Sequence, residues 1–134
     1  MTIYYAHAMK EYDTLKERSE RAFLEKMFTV VCPNRDVKNQ SHENIEEFLE
    51  LAAKTDAIVA SPHKGYIGSG VYAECQHMLK LNKPVYILKS TPKGYEFEEL
   101  KSIDRIKGNS TKYAVIESES TPICRTFMFK AFVA

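Results

Sequence analysis

Short apolar runs alternate with longer amphipathic stretches between residues 3 and 88, and this alternation limits the possible folds more than any other feature of the sequence. The apolar runs cover residues 3–6, 28–32, 56–60 and 85–88. Such runs, rich in β-branched and aromatic residues and separated by helical stretches, are typical of parallel strands joined by right-handed crossovers. The sequence therefore predicts an α/β domain, a three-layer flavodoxin/Rossmann-like sandwich with a short parallel sheet of about five strands.

Helical periodicity fills the intervals between these runs. We expect helices over residues 10–26, 43–54 and 70–81, the last of them with Ser69 as its N-cap. Beyond residue 88 the pattern weakens: residues 95–100 are interpreted as a short helix. Residues 103–106, 113–116 and 126–133 are predicted to be β-type. No linker or repeat divides the 134 residues, so one domain over residues 1–134 is expected.

Charge and cysteine usage exclude several function classes. The 19 basic and 18 acidic residues give a formal charge of +1, which predicts binding to neither nucleic acid nor a membrane surface. No apolar run approaches the roughly 20 residues that span a bilayer, and the amino terminus does not resemble a signal peptide. Cys32, Cys75 and Cys124 form no CxxC pair, so reduced thiols and a cytoplasmic location are expected.

The turn Gly68-Ser69-Gly70 carries the strongest functional signal, because it opens a helix directly after a strand and a loop. Free backbone N–H groups at a helix start suit an anion such as phosphate, although ordinary capping explains Gly and Ser equally well. Glu74 lies one turn further, at the edge of the inward-facing stripe of this helix. Its carboxylate either stabilises the helix by interacting favourably with the helix dipole or acts as a nucleophile that attacks an anomeric carbon.

Segments on both sides of this turn resemble the nucleoside 2-deoxyribosyltransferase family and its deoxynucleotide N-hydrolase relatives. The similar segments are residues 55–60, 68–74 and 83–87, together with residues 3–9, which match the family's first strand and ligand-binding loop. The resemblance implies cleavage of the bond between a base and 2-deoxyribose, with Glu74 as the nucleophile and no cofactor. The sugar would pass to water or to another base, and the hydrolases also hold a 5′-phosphate.

The same resemblance implies binding roles and self-association. Ser69 and Gly70, beside Gly68, fall where the hydrolases hold phosphate. The first loop would line the sugar or base with Tyr5, His7 and Met9. Family members complete their pockets across a subunit contact, which implies a homodimer or higher homo-oligomer. The apolar residues 127–129 and 132 would suit such a contact or the chain's own core.

The general acid departs from the family pattern. Family members usually present an Asp in the helix before the third strand, and the corresponding residues here are Phe48 and its neighbours Glu47 and Glu50. Glu46, Glu47 and Glu50 lie off the apolar face of that helix and are expected to be solvated charges. Asp56 could act as the acid or cap a strand, and His7 could act as an acid, contact the base or bond to loop backbone. The acid is left unassigned.

The remaining histidines and cysteines predict no metal site. His63 and Lys64 stand on the loop before the helix start, where they would meet a ligand phosphate or remain exposed loop residues. The best candidate set of metal ligands in the sequence is His63, Cys75 and His77. Cys75 and His77, two residues apart on a helix, face away from each other, so metal binding is rejected.

Two other functions stay open from the sequence. The first is a non-catalytic nucleotide sensor, which would keep the glycine-serine helix start and tolerate loss of Glu74. The second is a nicotinamide-dinucleotide glycohydrolase resembling Toll/interleukin receptor domains, which also place a catalytic Glu on a helix after a Ser- and Gly-bearing loop. All three functions share a small nucleoside or nucleotide as the expected ligand.

Overall fold

A computed structural model describes residues 1–37, 45–63 and 65–102 and the backbone of residues 112–114. The strands are β1 (Thr2–Ala6), β2 (Thr29–Val31), β3 (Ala57–Ala60), β4 (Tyr66–Gly68), β5 (Val85–Thr91), β6 (Gly94–Leu100) and β7 (Lys112–Ala114). The helices are α1 (Leu15–Glu25), α2 (Pro33–Asp36), α3 (Ile45–Ala53) and α4 (Ser69–Lys80), and a 3-10 turn covers Met9–Glu11. None of the described helices is both long enough and apolar enough to cross a bilayer.

The main sheet has the strand order β2-β1-β3-β5-β6. Its first four strands are parallel, and β6 pairs with β5 in the antiparallel sense. Numbered within this sheet alone, the order is 2-1-3-4-5, the flavodoxin-like arrangement. The predicted α/β fold class is therefore confirmed. The order reverses between β1 and β3, the place where such sheets bind ligands at the carboxyl ends of their strands.

Helices cover both faces of the sheet, which explains why the strand sequences are almost continuously apolar. On one face, Tyr4, Ile58 and Ile87 pack with residues of α3 and α4. On the other face, Tyr5 and its neighbours pack with Leu24 of α1. Adjacent residues of one strand point to opposite faces, so Tyr4 and Tyr5 enter different cores.

The segment 95–100 is a strand and not the predicted short helix. It forms β6, which continues from β5 through a hairpin turn in which Gly94 has a φ of +125°. Phe97 is buried in the core of the α1 face, whereas Leu100 is buried in the core of the α3/α4 face. Pairing along the full length of β5 and this two-sided burial outweigh the weak helical pattern of a short segment.

Element ends also differ from the sequence predictions. The first helix begins at Leu15 and not near residue 10, because the Thr14 side chain caps it by accepting a hydrogen bond from the Glu17 N–H. The N-cap of α4 is Gly68, with no side-chain cap, and Ser69 is the first helical residue. Residues 103–106 and 126–133, together with His42, Lys64 and Cys124, lie outside the described residues.

Candidate functional site

A cleft of about 660 Å³ opens between the loop after β1, the helix α3 and the start of α4. Its size falls in the range of small-ligand pockets. Its position, beside the reversal of strand order between β1 and β3, is where this architecture binds ligands. The lining residues are His7, Ala8, Met9, Lys10, Tyr12, Pro33, Ile45, Phe48, Gly68, Ser69, Gly70, Val71, Ala73 and Glu74.

Among the described residues that line this cleft, Glu74 is the one acidic residue, and it is only 5% exposed. Burial raises the pKa of Glu74 to about 8, although a hydrogen bond from the Tyr4 hydroxyl acts in the opposite direction. A carboxyl group with that pKa is largely protonated at neutral pH and ionises just above it. Such a poorly solvated carboxylate at a pocket is a typical nucleophile or acid–base group.

The Tyr4 hydroxyl donates its hydrogen bond to Oε2 of Glu74, which fixes one oxygen of the carboxylate. Burial, followed by the nearby charge of Glu74, strongly raises the pKa of Tyr4, so the phenol stays protonated and acts as a donor. Tyr4 comes from β1 and Glu74 from α4, and their contact joins the sheet to the helix. Sequence reasoning missed Tyr4, although the two-residue period of a strand places it and Tyr5 on opposite faces.

Tyr5, a predicted substrate contact, lies on the α1 face and does not line the cleft. Its hydroxyl donates to Oε1 of Glu20 at 2.6 Å. The sheet therefore carries two adjacent tyrosines that each bond a buried glutamate, one on each face. Tyr4 with Glu74 adjoins the cleft, whereas Tyr5 with Glu20 does not.

This symmetry provides a matched test of Tyr4. We expect Tyr4→Phe to raise the pKa of Glu74 further, because the substitution removes the hydrogen bond that favours the carboxylate. Any reaction that depends on ionised Glu74 should therefore need a higher pH. The pH at which its rate rises, expected near pH 8 in the wild type, should increase by about one unit. Rates measured across pH 6–10 for wild type, Tyr4→Phe and Tyr5→Phe check this. A shift of equal size in Tyr5→Phe would contradict a specific role for Tyr4.

The start of α4 presents backbone donors to the cleft. Gly68, Ser69 and Gly70 all line it, as the sequence predicted, and the first turn of α4 contains no acidic residue. The N-cap is Gly68, which has no side chain to cap the helix, so within the described part of the chain the first N–H groups keep their capacity to bind an anion. A Cβ atom built on Gly68 or Gly70 meets no atom within 4 Å, which leaves this space open to a ligand. The cation Lys10 also lines the cleft.

His7 and Met9 line the cleft as predicted, but the ring of His7 is already bonded at both nitrogens. Its Nδ1 lies 3.2 Å from the carbonyl oxygen of Tyr5, and its Nε2 contacts the carboxylate of Glu17. The ring also stacks on Tyr5, with centroids 4.1 Å apart. The His7 side chain is fully buried, and neither ring nitrogen is left to act as a general acid.

His63, the other predicted contact, lies away from the residues that line the cleft. Its Nδ1 is 2.8 Å from Oε1 of Glu11, and the Lys16 ammonium donates to the same oxygen at 2.8 Å. Burial acts to raise the pKa of Glu11, but the hydrogen bonds from Lys16 and His63 outweigh it and the pKa falls. His63 therefore belongs to an ion-pair network that joins the loop after β3 to the 3-10 turn.

The predicted substitutes for a general acid lie outside the described lining of the cleft. Glu46, Glu47 and Glu50 are exposed on α3. Asp56 precedes β3 and accepts a hydrogen bond from the backbone N–H of Thr2, at the opposite, amino-terminal edge of the sheet. The α3 residues that do line the cleft are Ile45 and Phe48, both apolar. The described cleft thus offers a base leaving group no second carboxyl group.

Comparison of the chain with family models, with curated protein sequences and with solved structures finds no match.

Proposed function

We propose that this chain cleaves the N-glycosidic bond of a nucleoside or nucleoside 5′-monophosphate, with Glu74 as the nucleophile. The observation that carries the proposal is a buried carboxyl group, hydrogen-bonded to Tyr4, in a cleft of nucleoside size. The resemblance to nucleoside 2-deoxyribosyltransferases and deoxynucleotide N-hydrolases points to the same residue. Membership in that family, and the homo-oligomer that it implies, are parts of the proposal.

The reaction divides into two displacements. In the first, an oxygen of the Glu74 carboxylate bonds to the anomeric carbon, and the carbon–nitrogen bond breaks with its electron pair leaving on the base. In the second, water or another base attacks the same carbon and releases Glu74. Tyr4 holds Oε2, so the other carboxylate oxygen is free to attack. Burial of Glu74 favours the neutral ester over the charged carboxylate and supports the first step.

The start of α4 supports a phosphate on the substrate, and Gly70 provides a test. Because its Cβ would enter open space, Gly70→Ala should fold normally and stabilise α4 by about 0.5–1 kcal/mol. The added methyl group would occupy the space next to the helix N–H groups, so KM for a 5′-monophosphate should rise about tenfold or more. Thermal unfolding and steady-state kinetics check this pair of opposite effects. A KM that stays the same would contradict a phosphate at this turn.

A nicotinamide-dinucleotide glycohydrolase is the second candidate, and one observation favours it. Ile45 and Phe48 line the cleft where the resemblance calls for a proton donor, and Glu74 is the acidic side chain of the described lining. A cationic base such as nicotinamide leaves as a neutral molecule and needs no general acid. Release of an uncharged purine or pyrimidine would lack the roughly 10²- to 10⁴-fold rate enhancement that a positioned general acid contributes.

The experiment that separates these functions is a substrate panel. The wild-type protein is incubated at pH 8.5 with deoxynucleosides, their 5′-monophosphates and nicotinamide adenine dinucleotide, and free base is quantified by chromatography. Release from a nucleoside or its monophosphate supports the proposal, and release of nicotinamide alone supports the second candidate. Nucleotide binding without release from any compound would contradict both enzymes and leave the non-catalytic sensor.

A further inference from the structure

A second cluster of reactive side chains lies behind the cleft, separate from Glu74. A ring nitrogen of His7, a carboxylate oxygen of Glu17 and the sulfur of Cys32 lie within 4.8 Å of one another, and all three residues are buried. They come from three elements: the end of β1, the first turn of α1 and the residue after β2. We propose that this cluster binds one transition-metal ion, zinc(II) or an ion of similar chemistry.

The surroundings of the cluster orient its members as metal ligands. Nδ1 of His7 lies 3.2 Å from the Tyr5 carbonyl oxygen, to which it can donate, and Nε2 is hydrogen-bonded to Glu17. A metal ion would replace the proton between Nε2 and Glu17, while Nδ1 keeps its bond to the carbonyl. Metal-ligating histidines almost always donate their other N–H in this way. The Glu17 carboxylate is held in turn by the Asp13 backbone N–H at 3.0 Å and the Asn34 amide at 3.1 Å.

A catalytic triad is the competing interpretation of a cysteine, a histidine and an acid. A triad requires one ring nitrogen to face the thiol while the other faces the acid. Here Nε2 of His7 faces Glu17, and Nδ1 is taken by a backbone carbonyl. The thiol of Cys32 donates to Oδ1 of Asn34. The histidine therefore has no nitrogen free to activate the thiol, and the grouping fits a metal ion better.

The donor set selects the ion. Thiolate and imidazole favour zinc over calcium and magnesium, which prefer oxygen ligands. Cys32 as thiolate and Glu17 as carboxylate together balance the two positive charges of the ion. The Arg21 guanidinium, whose Nη1 lies 3.9 Å from Oε1 of Glu17, adds one positive charge beside this group. Ligands of tetrahedral zinc lie about 3.3–3.8 Å apart, which the present spacing allows after small side-chain movements. The amide oxygen of Asn34 or a water molecule would complete the coordination.

Bound metal would fix the loop after β1 against α1 and the end of β2. His7 and Pro33 line the cleft, so the ion would hold part of its lining in place without contacting Glu74. The expected role is therefore structural, and the site does not depend on the glycosidase proposal.

The test uses the full chain, freed of metal by a chelator and titrated with cobalt(II). We expect a thiolate-to-cobalt charge-transfer absorption band that saturates at one ion per chain and disappears when zinc is added. Cys32→Ser should abolish the band, and Glu17→Gln should weaken zinc binding at least about tenfold. Cys75→Ser and Cys124→Ser serve as matched controls and should keep both signals, as should Glu74→Gln.

The proposal is overturned by the absence of a band with excess cobalt. It is also overturned by a band that survives in Cys32→Ser or is lost in Cys75→Ser. Circular dichroism monitors the fold of each variant. If Cys32→Ser does not fold, Glu17→Gln decides, since it keeps the thiol and the size of the side chain: an unchanged zinc affinity in this variant would refute the site.

Discussion

Replacing Glu74 with Gln should lower the rate of base release by about 10³-fold or more, the loss expected when a covalent nucleophile is removed. The amide has nearly the same shape and can still accept the hydrogen bond from Tyr4, so the cleft should keep its form. It cannot form the ester with the anomeric carbon. Single-turnover and steady-state release of base, measured on the best substrate of the panel, check this expectation.

Glu50→Gln is the matched control, because it makes the same chemical change on an exposed face of α3. It should leave the rate within about twofold of wild type. Substrate affinity in Glu74→Gln should also stay within about tenfold, because the start of α4 and Lys10 are untouched. A Glu74→Gln enzyme that retains a tenth or more of the wild-type rate would contradict the role of nucleophile.

The same substitution should make the protein more stable, and increasingly so as the pH rises. The folded-state pKa of Glu74 is about 8, against an ordinary value of 4.5. Between these two values the unfolded chain has lost the proton that the folded protein keeps, so wild-type stability falls as pH rises. Above pH 8 the folded protein holds a buried charge whose cost is on the order of 3–5 kcal/mol. Glu74→Gln removes that cost.

The free energy of unfolding, obtained from urea titrations at pH 5, 7 and 9, measures this effect. The difference between Glu74→Gln and wild type should be small at pH 5 and largest at pH 9. Glu50→Gln should show no comparable trend with pH, because its side chain is exposed. A difference that is constant across the three pH values would show that the pKa of Glu74 is not raised by folding. Destabilisation by a buried charge is expected of a residue that is kept for function at the expense of stability.

The strands and helices were largely predictable, because apolar runs and helical periodicity record burial directly. The position of Glu74 followed from the helical projection of α4. The glycine-serine turn predicted the start of that helix to within one residue, because the N-cap is Gly68 and not Ser69. The hairpin of β5 and β6 was not predictable, since residues 95–100 are defined by pairing with a neighbouring strand and by burial on two faces. Local pattern does not contain that information.

The partners of the site residues were the least predictable feature. The sequence predicts Tyr5 as a ligand contact, but Tyr4 is the residue whose hydroxyl bonds Glu74, while Tyr5 bonds Glu20 on the other face. The two-residue period of a strand places the two tyrosines on opposite faces. The neighbours of His7 could not be found in this way. Glu17 and Cys32 reach it from α1 and the end of β2, so their proximity depends on the packing of three elements. No sequence spacing encodes such a group.

The measurement that most directly tests the role of Glu74 is mass spectrometry of the enzyme after incubation and acid quenching. The substrate is a nucleoside that carries the preferred base and a fluorine at C2′ of its sugar. The electron-withdrawing fluorine slows breakdown of a glycosyl ester and lets it accumulate. We predict that the intact protein gains the mass of the sugar without its base and that peptide sequencing locates the addition at Glu74. Release of base with no added mass, or with the sugar attached to another residue, would contradict this mechanism.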